Sequence, residues 1–503
     1  MGAEPAAAFS TADFAVLFAY LLGIVILGSF FYRRKSSTED FFFASHSVSW
    51  IPISVSIIAT NFSAIAYLGL TAFSFQRDLE LFPMLMMGPI VVMPIVIRYL
   101  VPFYHRFHFS TAYEYLETRF DVRVRALTSL LFLLLRGFYM GIVIYAPSLV
   151  LSTVTGLPII ESILIMGVFT TIYTTLGGMR AVIWTDMIQF SMVVIGMTAI
   201  IVTAYSRIDG GWPAIWHTAH ALGKTKVFDF SPSLSREFTF WNVLLGSGFF
   251  ILSTFTTDQI IVQRYMTART EEECKKALIL QTALQVIVTI PLQATGLILA
   301  VFYFRHPGES SAMVSQDAVL PFFVTRHVAP GLRALIIASI FAASMSVMSG
   351  GINSLTTATI VDFYKRLWRP AASDLSCLRV ARFSTIVWGV LATIAALFVS
   401  RLGQLAYAYD KVNSFVGGVM LGIFLLAMLT RRTDGTSALI GAATGLATVV
   451  AVANLTSLSW VWYALIGCGV TMGAGCVAAR YGGGEKRGGE KASRRGAQIA
   501  TGT

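Results

Sequence analysis

The stretch LGGMRAVIWTDMIQFSMVVIGM, Leu176–Met197, places a carboxylate inside a segment that is otherwise apolar. After Asp186 the apolar residues continue almost without interruption to Ala204. An ionised carboxylate in hydrocarbon costs about 2.5–3.5 kcal/mol even on the insertion scales that give the smallest values. Asp186 therefore needs a partner, and the identity of that partner bears on what the protein does.

The composition indicates a membrane protein. Of the 503 residues, 56% are hydrophobic and only 13% are charged, and the mean hydropathy is +0.71. Soluble proteins carry about 25% charged residues, so this chain has too few charged residues to form the surface of a water-soluble protein. Apolar runs of about 20 residues recur along its length, as membrane helices demand. We predict an all-α membrane protein with about 13 transmembrane helices.

The net charge of +11 is unevenly distributed between the loops. Most of the Lys and Arg residues fall in loops on one side of the predicted spans, which the positive-inside rule assigns to the cytoplasm. This orientation puts the N-terminus outside and the C-terminus inside a plasma membrane, such as a bacterial inner membrane. The excess positive charge therefore reflects the orientation of the helices across the lipid bilayer and does not indicate a nucleic-acid partner.

Several function classes lack support in the sequence. There is no GxxxxGK[ST] nucleotide-binding motif, and most predicted loops are short. The cysteines show no CxxC spacing, so neither a disulfide framework nor a metal site is implied. We expect no enzyme and no organic cofactor.

Two predicted spans, 49–75 and 239–263, contain polar residues and glycines at membrane depth. Coupled transporters contain two inverted repeats with broken helices, whose freed carbonyls bind the coupling ion. The first span holds Thr60, Asn61 and Ser63, and the second holds the run Gly246–Ser247–Gly248 followed by Ser253, Thr254, Thr256 and Thr257. The spans lie five apart, as the opening helices of two inverted five-helix repeats would. Close helix packing is the alternative explanation for these small residues.

A later apolar run offers a partner for Asp186. Ala343, Ser346, Ser349 and Asn353 follow one another at spacings that place them on one helical face. Hydroxyls, carbonyls and one carboxylate suit sodium, and the cation would balance the buried aspartate. A tight helix crossing, with the serines bonded to their own backbone, is the alternative.

Three segments resemble the sodium:solute symporter family: GGMRAVIWTDMIQF, TDQIIVQRYMTARTEEECKKA and SMSVMSGGINSLTTATIVDFYKR. The resemblance implies a LeuT-like, thirteen-helix fold of inverted repeats with broken first helices, here expected to function as a monomer. The expected segments are 1–48 with the first helix, 49–206 and 239–430 as the two repeats, 431–480 as two further helices, and 481–503 as a disordered cytoplasmic tail.

The resemblance also implies two sodium sites. The principal site uses carbonyls that fall on Ala59, Phe62 and Ala343 and a hydroxyl that falls on Ser346, but its second hydroxyl position is Val347.

A second site of some relatives corresponds to Asp186, Ser346 and Ser349, and its last serine is replaced by Gly350. Both sites therefore lack one side-chain ligand. Weaker sodium binding, a water or Thr60 as a substitute ligand, and a different coupling cation remain open.

Arg136 is the best sequence clue to the solute. It lies well inside the fourth apolar run, where a charge is a functional hypothesis by default, and its planar fork suits a carboxylate. The resemblance implies that an arginine near this place holds the carboxylate in sialic acid transporters. Pairing of Arg136 with a protein carboxylate, for which Asp258 is a candidate, or with backbone carbonyls is the alternative.

Four further residues are candidates for solute binding. The resemblance implies roles for Asn61 and Ser63, although Ala66 replaces a third polar position and puts sialic acid itself in doubt. Tyr67 and Phe255 could stack on a solute or simply pack.

The sequence thus predicts secondary active import of a small organic solute driven by sodium. A carboxylate, either a monocarboxylate or a sugar acid, is the favoured solute. A symporter of neutral sugars and a non-transporting membrane sensor of the same fold are the alternatives.

Overall fold

The structure is a computed structural model that describes residues 9–30, 37–107, 109–310, 319–402 and 405–481. Within these ranges, the side chains at 176, 310, 400–402 and 405–412 are left undescribed. The predicted disordered tail lies outside the described residues except for its first position.

Apolar helices make up the described part of the chain. Ten of them are long and apolar enough to cross a membrane, and a bent pair supplies an eleventh candidate span. The ten are Thr11–Phe30, Phe82–Phe107, Val122–Thr155, Gly177–Ser206, Phe240–Thr257, Glu271–Arg305, Leu332–Trp368, Asp374–Val399, Gly435–Leu455 and Trp460–Tyr481. Two shorter apolar helices cover Ile159–Thr175 and Asn413–Leu429. The predicted all-helical membrane architecture is confirmed; the number 13 and the inverted repeats stay predictions.

Short helices connect some of these spans. They are Thr38–Phe43, Glu114–Arg119, Gly211–Ala221 and Val319–His327.

One helix, Leu332–Ala358, lies at the centre of the bundle, and nearly all of its residues are buried. Its many Ala, Ser and Gly residues let neighbouring backbones approach closely. A β-carbon on Gly196 would lie only 2.1 Å from the Ser339 hydroxyl oxygen. The helix that carries Asp186, Gly177–Ser206, is therefore packed directly against this central helix.

The first broken helix consists of Trp50–Asn61 and Ala64–Gln76, which meet at an angle of 62°. Phe62 is extended between them, with φ −113° and ψ 93°. The second half begins at an N-cap, because the Ser63 hydroxyl accepts a hydrogen bond from the backbone N–H of Ala66 at 3.4 Å. The carbonyls in the last turn of the first half have no intrahelical donor. The predicted break is thus present at the predicted polar residues.

The second broken helix consists of Phe240–Thr257 and Gln259–Thr267, and its break lies at Asp258. The glycines and hydroxyl residues expected to mark this break run from Gly246 to Thr257. The chain continues through a π-helical turn at Gly246–Gly248 and remains helical to Thr257, so the break directly follows the last of these residues. Asp258 is extended, and its carboxylate accepts a hydrogen bond from the backbone N–H of Ile260 at 3.0 Å. The capping carboxylate of Asp258 therefore starts the new helix.

Candidate cation and solute site

Asp186 is fully buried and contacts three elements of the fold. The Ser346 hydroxyl of the central helix donates to one carboxylate oxygen at 2.6 Å, and the Ser56 hydroxyl of the first broken helix donates to the other at 2.5 Å. Arg264, from the second broken helix, approaches the same oxygen as Ser56 with its Nη2 at 3.3 Å. The carboxylate therefore joins both broken helices to the central helix.

Arg264 is a functional candidate that the sequence reasoning missed. Its side chain is completely buried, its Nε donates to the Ser56 hydroxyl at 2.8 Å, and its Nη1 donates to the Ile260 carbonyl at 2.7 Å. The expectation that a bound cation alone balances Asp186 was incomplete, because a guanidinium from a distant segment already does so. The signal in the sequence was a basic residue inside the mostly apolar run IIVQRYM.

The residues of the expected second sodium site are only partly brought together. Asp186 and Ser346 are in contact, but the Ser349 hydroxyl donates to the backbone carbonyl of Ser346 at 3.1 Å. A β-carbon at Gly350 would lie 2.7 Å from both Arg264 Nη2 and a methyl carbon of Thr60. A serine at position 350 would therefore collide with the guanidinium that pairs with Asp186.

The residues expected to form the principal sodium site do converge. Ala59, Phe62, Ala343 and Ser346 line one narrow cavity, with no space for a water molecule, between the first break and the central helix. Val347 is buried but does not line this cavity. These four residues come together as the sequence predicted. That they bind sodium stays a prediction.

Gln189, Phe190, Val193 and Ala342 complete the cavity wall. Gln189 lies three residues after Asp186, on the same face of its helix. It is the one polar side chain in this wall besides Ser346.

Arg136 pairs with Asp258 at the second break, through a hydrogen-bonded contact between Nη2 and the carboxylate. Both side chains are largely buried, and the Arg136 guanidinium also lies over the Tyr139 ring, 5.3 Å from its centroid. The pairing with Asp258 is the alternative to a solute carboxylate that the sequence had left open. The two residues lie 122 positions apart, so spacing within one helix could not reveal the pair.

Tyrosine hydroxyls satisfy the carbonyls that precede the second break. Tyr113 donates to the Thr257 carbonyl at 3.0 Å, Tyr265 donates to the Phe255 carbonyl at 3.2 Å, and Tyr104 donates to the Thr256 carbonyl. These are carbonyls of a helix end, which need donors from elsewhere. Side chains of the protein itself therefore satisfy the free carbonyls at this break.

The other candidates for solute binding lie at or beside the two breaks. Asn61 is exposed, whereas the Ser63 hydroxyl is used in the N-cap. Tyr67 is buried, and its hydroxyl accepts a hydrogen bond from Ser339 at 3.4 Å. Phe255 is buried in the helix turn before Asp258. Contact of these side chains with a solute stays a prediction.

Comparisons with known proteins agree with this geometry. The model of the sodium:solute symporter family matches residues 41–445, and the chain belongs to this family. A sodium/sialic acid symporter, NanT of Aliivibrio fischeri, is 33% identical over 92% of this chain and 92% of its own. A sodium-coupled monocarboxylate transporter 2 of Danio rerio is 30% identical over 84% of this chain and 68% of its own.

A solved structure gives the same result for the fold. The substrate-bound, outward-open state of a Na+-coupled sialic acid symporter superposes with a TM-score of 0.88 at 30% identity. The match covers 94% of this chain and 98% of that one. The chain is therefore a sodium:solute symporter in sequence and in fold, with LeuT-like structural neighbours.

Proposed function

We propose that this protein imports a small organic carboxylate, either a sugar acid or a monocarboxylate, together with sodium across a plasma membrane. The observation that carries the sodium part is the cavity lined by Ala59, Phe62, Ala343 and Ser346. Freed carbonyls at a helix break and a hydroxyl are the ligands that coupled transporters offer sodium. The named relatives, which carry sialic acid and monocarboxylates, support the choice of solute.

The proposed architecture has thirteen spans in two inverted repeats, 49–206 and 239–430, followed by two helices and a cytoplasmic C-terminus. The hydrogen bond between Arg264 and Ser56 supports it, because this contact joins the second half of one broken helix to the first half of the other. Paired breaks near the membrane midplane are the pattern expected where two repeats meet.

A single coupled sodium is the proposed stoichiometry. Arg264 supplies a positive charge to Asp186, and Gly350 leaves the space that its guanidinium occupies. The charge of the buried aspartate is thus balanced without a second ion. Relatives with a serine at the Gly350 position would lack this space.

The proposed partner of the solute carboxylate is Arg136, whose planar fork can bind two oxygens at once. Asp258 already holds this guanidinium, so a solute carboxylate must compete with it or share it. The same observation favours a neutral, hydroxyl-rich solute as the second candidate, because the Arg136–Asp258 pair carries no net charge.

Uptake into proteoliposomes tests the sodium claim. We expect accumulation of a labelled carboxylate only with an inward sodium gradient, and its loss when choline replaces sodium. Equal uptake in choline and sodium would refute sodium coupling, and a proton gradient would then be the next driving force to examine.

Two substitutions of Arg136 test the carboxylate claim. Arg136→Gln should abolish carboxylate uptake while sodium still stabilises the protein. Arg136→Lys should recover only part of the uptake, because an ammonium cannot reproduce the bidentate fork. Uptake of a neutral sugar that survives Arg136→Gln would identify Arg136 as structural and the solute as uncharged.

A further inference from the structure

Gln189 lines the cavity at the first break together with the four residues that are proposed to bind sodium. Its side chain is fully buried, and its amide oxygen Oε1 has no hydrogen-bond partner among the described residues. Leaving a buried polar atom unsatisfied costs about 1–3 kcal/mol. An amide oxygen held in this way in the wall of a candidate cation site is available as a ligand.

Its neighbours fix the orientation of the Gln189 amide. The Tyr173 hydroxyl donates its only hydrogen to the Met345 carbonyl at 2.6 Å, so it can only accept from another group. The Gln189 nitrogen Nε2 is the donor to this hydroxyl, at 3.5 Å. With the nitrogen turned towards Tyr173, the amide oxygen is available for a second contact, for which a cation competes with the Tyr20 hydroxyl that also interacts with the Gln189 side chain.

We infer that the amide oxygen of Gln189 is a sodium ligand that replaces the hydroxyl absent at Val347. Hard cations favour oxygen ligands, and glutamine carbonyls serve this purpose at protein sites. The cavity would then offer backbone carbonyls of Ala59, Phe62 and Ala343, the Ser346 hydroxyl and the Gln189 amide oxygen. The Ser346 oxygen keeps lone pairs for the cation while its hydrogen points to Asp186.

This inference rests on the proposed sodium coupling, and a titration of thermal stability with sodium chloride in detergent separates the two. Choline chloride keeps the ionic strength constant. Gln189→Leu, which removes the oxygen at similar volume, should raise the half-saturating sodium concentration roughly fivefold to tenfold, the equivalent of one lost ligand contact.

A matched control is available in Gln281→Leu. Gln281 is also fully buried, its Oε1 also lacks a partner among the described residues, and its Nε2 donates to Gln285. It does not line the cavity. Gln281→Leu should therefore change the melting temperature without changing the half-saturating sodium concentration.

Gln189→Glu provides a test if the leucine variant fails to fold. A carboxylate at this place keeps the oxygen and adds charge, so sodium should bind more tightly as the pH rises and the new side chain ionises. A sodium affinity that is independent of pH in Gln189→Glu, or unchanged in a folded Gln189→Leu, would overturn the inference. A wild-type protein that sodium does not stabilise would refute the sodium coupling itself.

Discussion

The two broken helices differ in what happens to their free carbonyls. At the second break, hydroxyls of Tyr113 and other tyrosines donate to them, and Arg136 neutralises the break residue Asp258. At the first break, Ala59 and Phe62 lie in or just after the last turn and line a cavity. There the hydroxyl of Ser63 accepts from the backbone N–H of Ala66 and caps the second half of the helix. Similar breaks thus serve different purposes, one satisfied by protein donors and one suited to a cation.

The largest expected effect comes from the pair that joins the two breaks. Arg264→Met leaves Asp186 as an uncompensated buried charge, and breaking such a pair costs about 3–5 kcal/mol. The double variant Asp186→Asn/Arg264→Met should recover much of this loss, because no isolated charge remains. Unfolding of the four purified proteins in a double-mutant cycle gives the coupling energy. Additive losses would show that the two residues act independently.

The second expected effect concerns the ion pair at the second break. Asp258→Asn keeps a capping side chain but removes the negative charge that holds Arg136. We expect a stability loss of about 1–3 kcal/mol and a lower KM for a carboxylate solute, because an internal competitor is gone. Uptake kinetics in proteoliposomes measure the KM, and Asp258→Ala serves as the control that also loses the cap. A KM that rises would show that Asp258 assists solute binding.

Tyr113→Phe tests the claim that protein donors satisfy the second break. The variant removes the hydroxyl that donates to the Thr257 carbonyl at 3.0 Å, which should cost about 1 kcal/mol. The half-saturating sodium concentration should stay at the wild-type value, since this carbonyl is distinct from those of the first-break cavity. A shifted sodium response in thermal unfolding would show that the two breaks share the ion.

The smallest effect is expected at Val347. Because Val347 does not line the cavity, Val347→Ser should change the half-saturating sodium concentration by less than about twofold, or about 0.4 kcal/mol. The sequence argument alone predicts instead a clear gain in affinity from the added oxygen. The same sodium titration distinguishes the two, and a marked tightening would place Val347 beside the ion.

The sequence reasoning succeeded where the signal was local. Asp186 stood out as a charge in an apolar run, the polar residues near Ser63 indicated a break, and the motif around Ser346 carried the family resemblance. It failed where contacts join distant segments. It did not identify Arg264 as the partner of Asp186, and it left the role of Asp258 open.

The sequence by itself determined that this is a polytopic membrane protein. Hydropathy and the distribution of charge decide which segments insert into the bilayer and in which orientation, and both are properties of the chain. It also determined which residues carry polar groups at membrane depth. Only the tertiary structure decided how those groups are paired. A buried charge takes whichever partner the helix packing brings within a few ångströms, and that partner can lie 78 positions away, as Arg264 does from Asp186. The packing of the Asp186 helix on the central helix likewise placed Gln189 in the wall of the first-break cavity. The three-residue spacing puts Gln189 on the helical face of Asp186 but does not say what that face contacts.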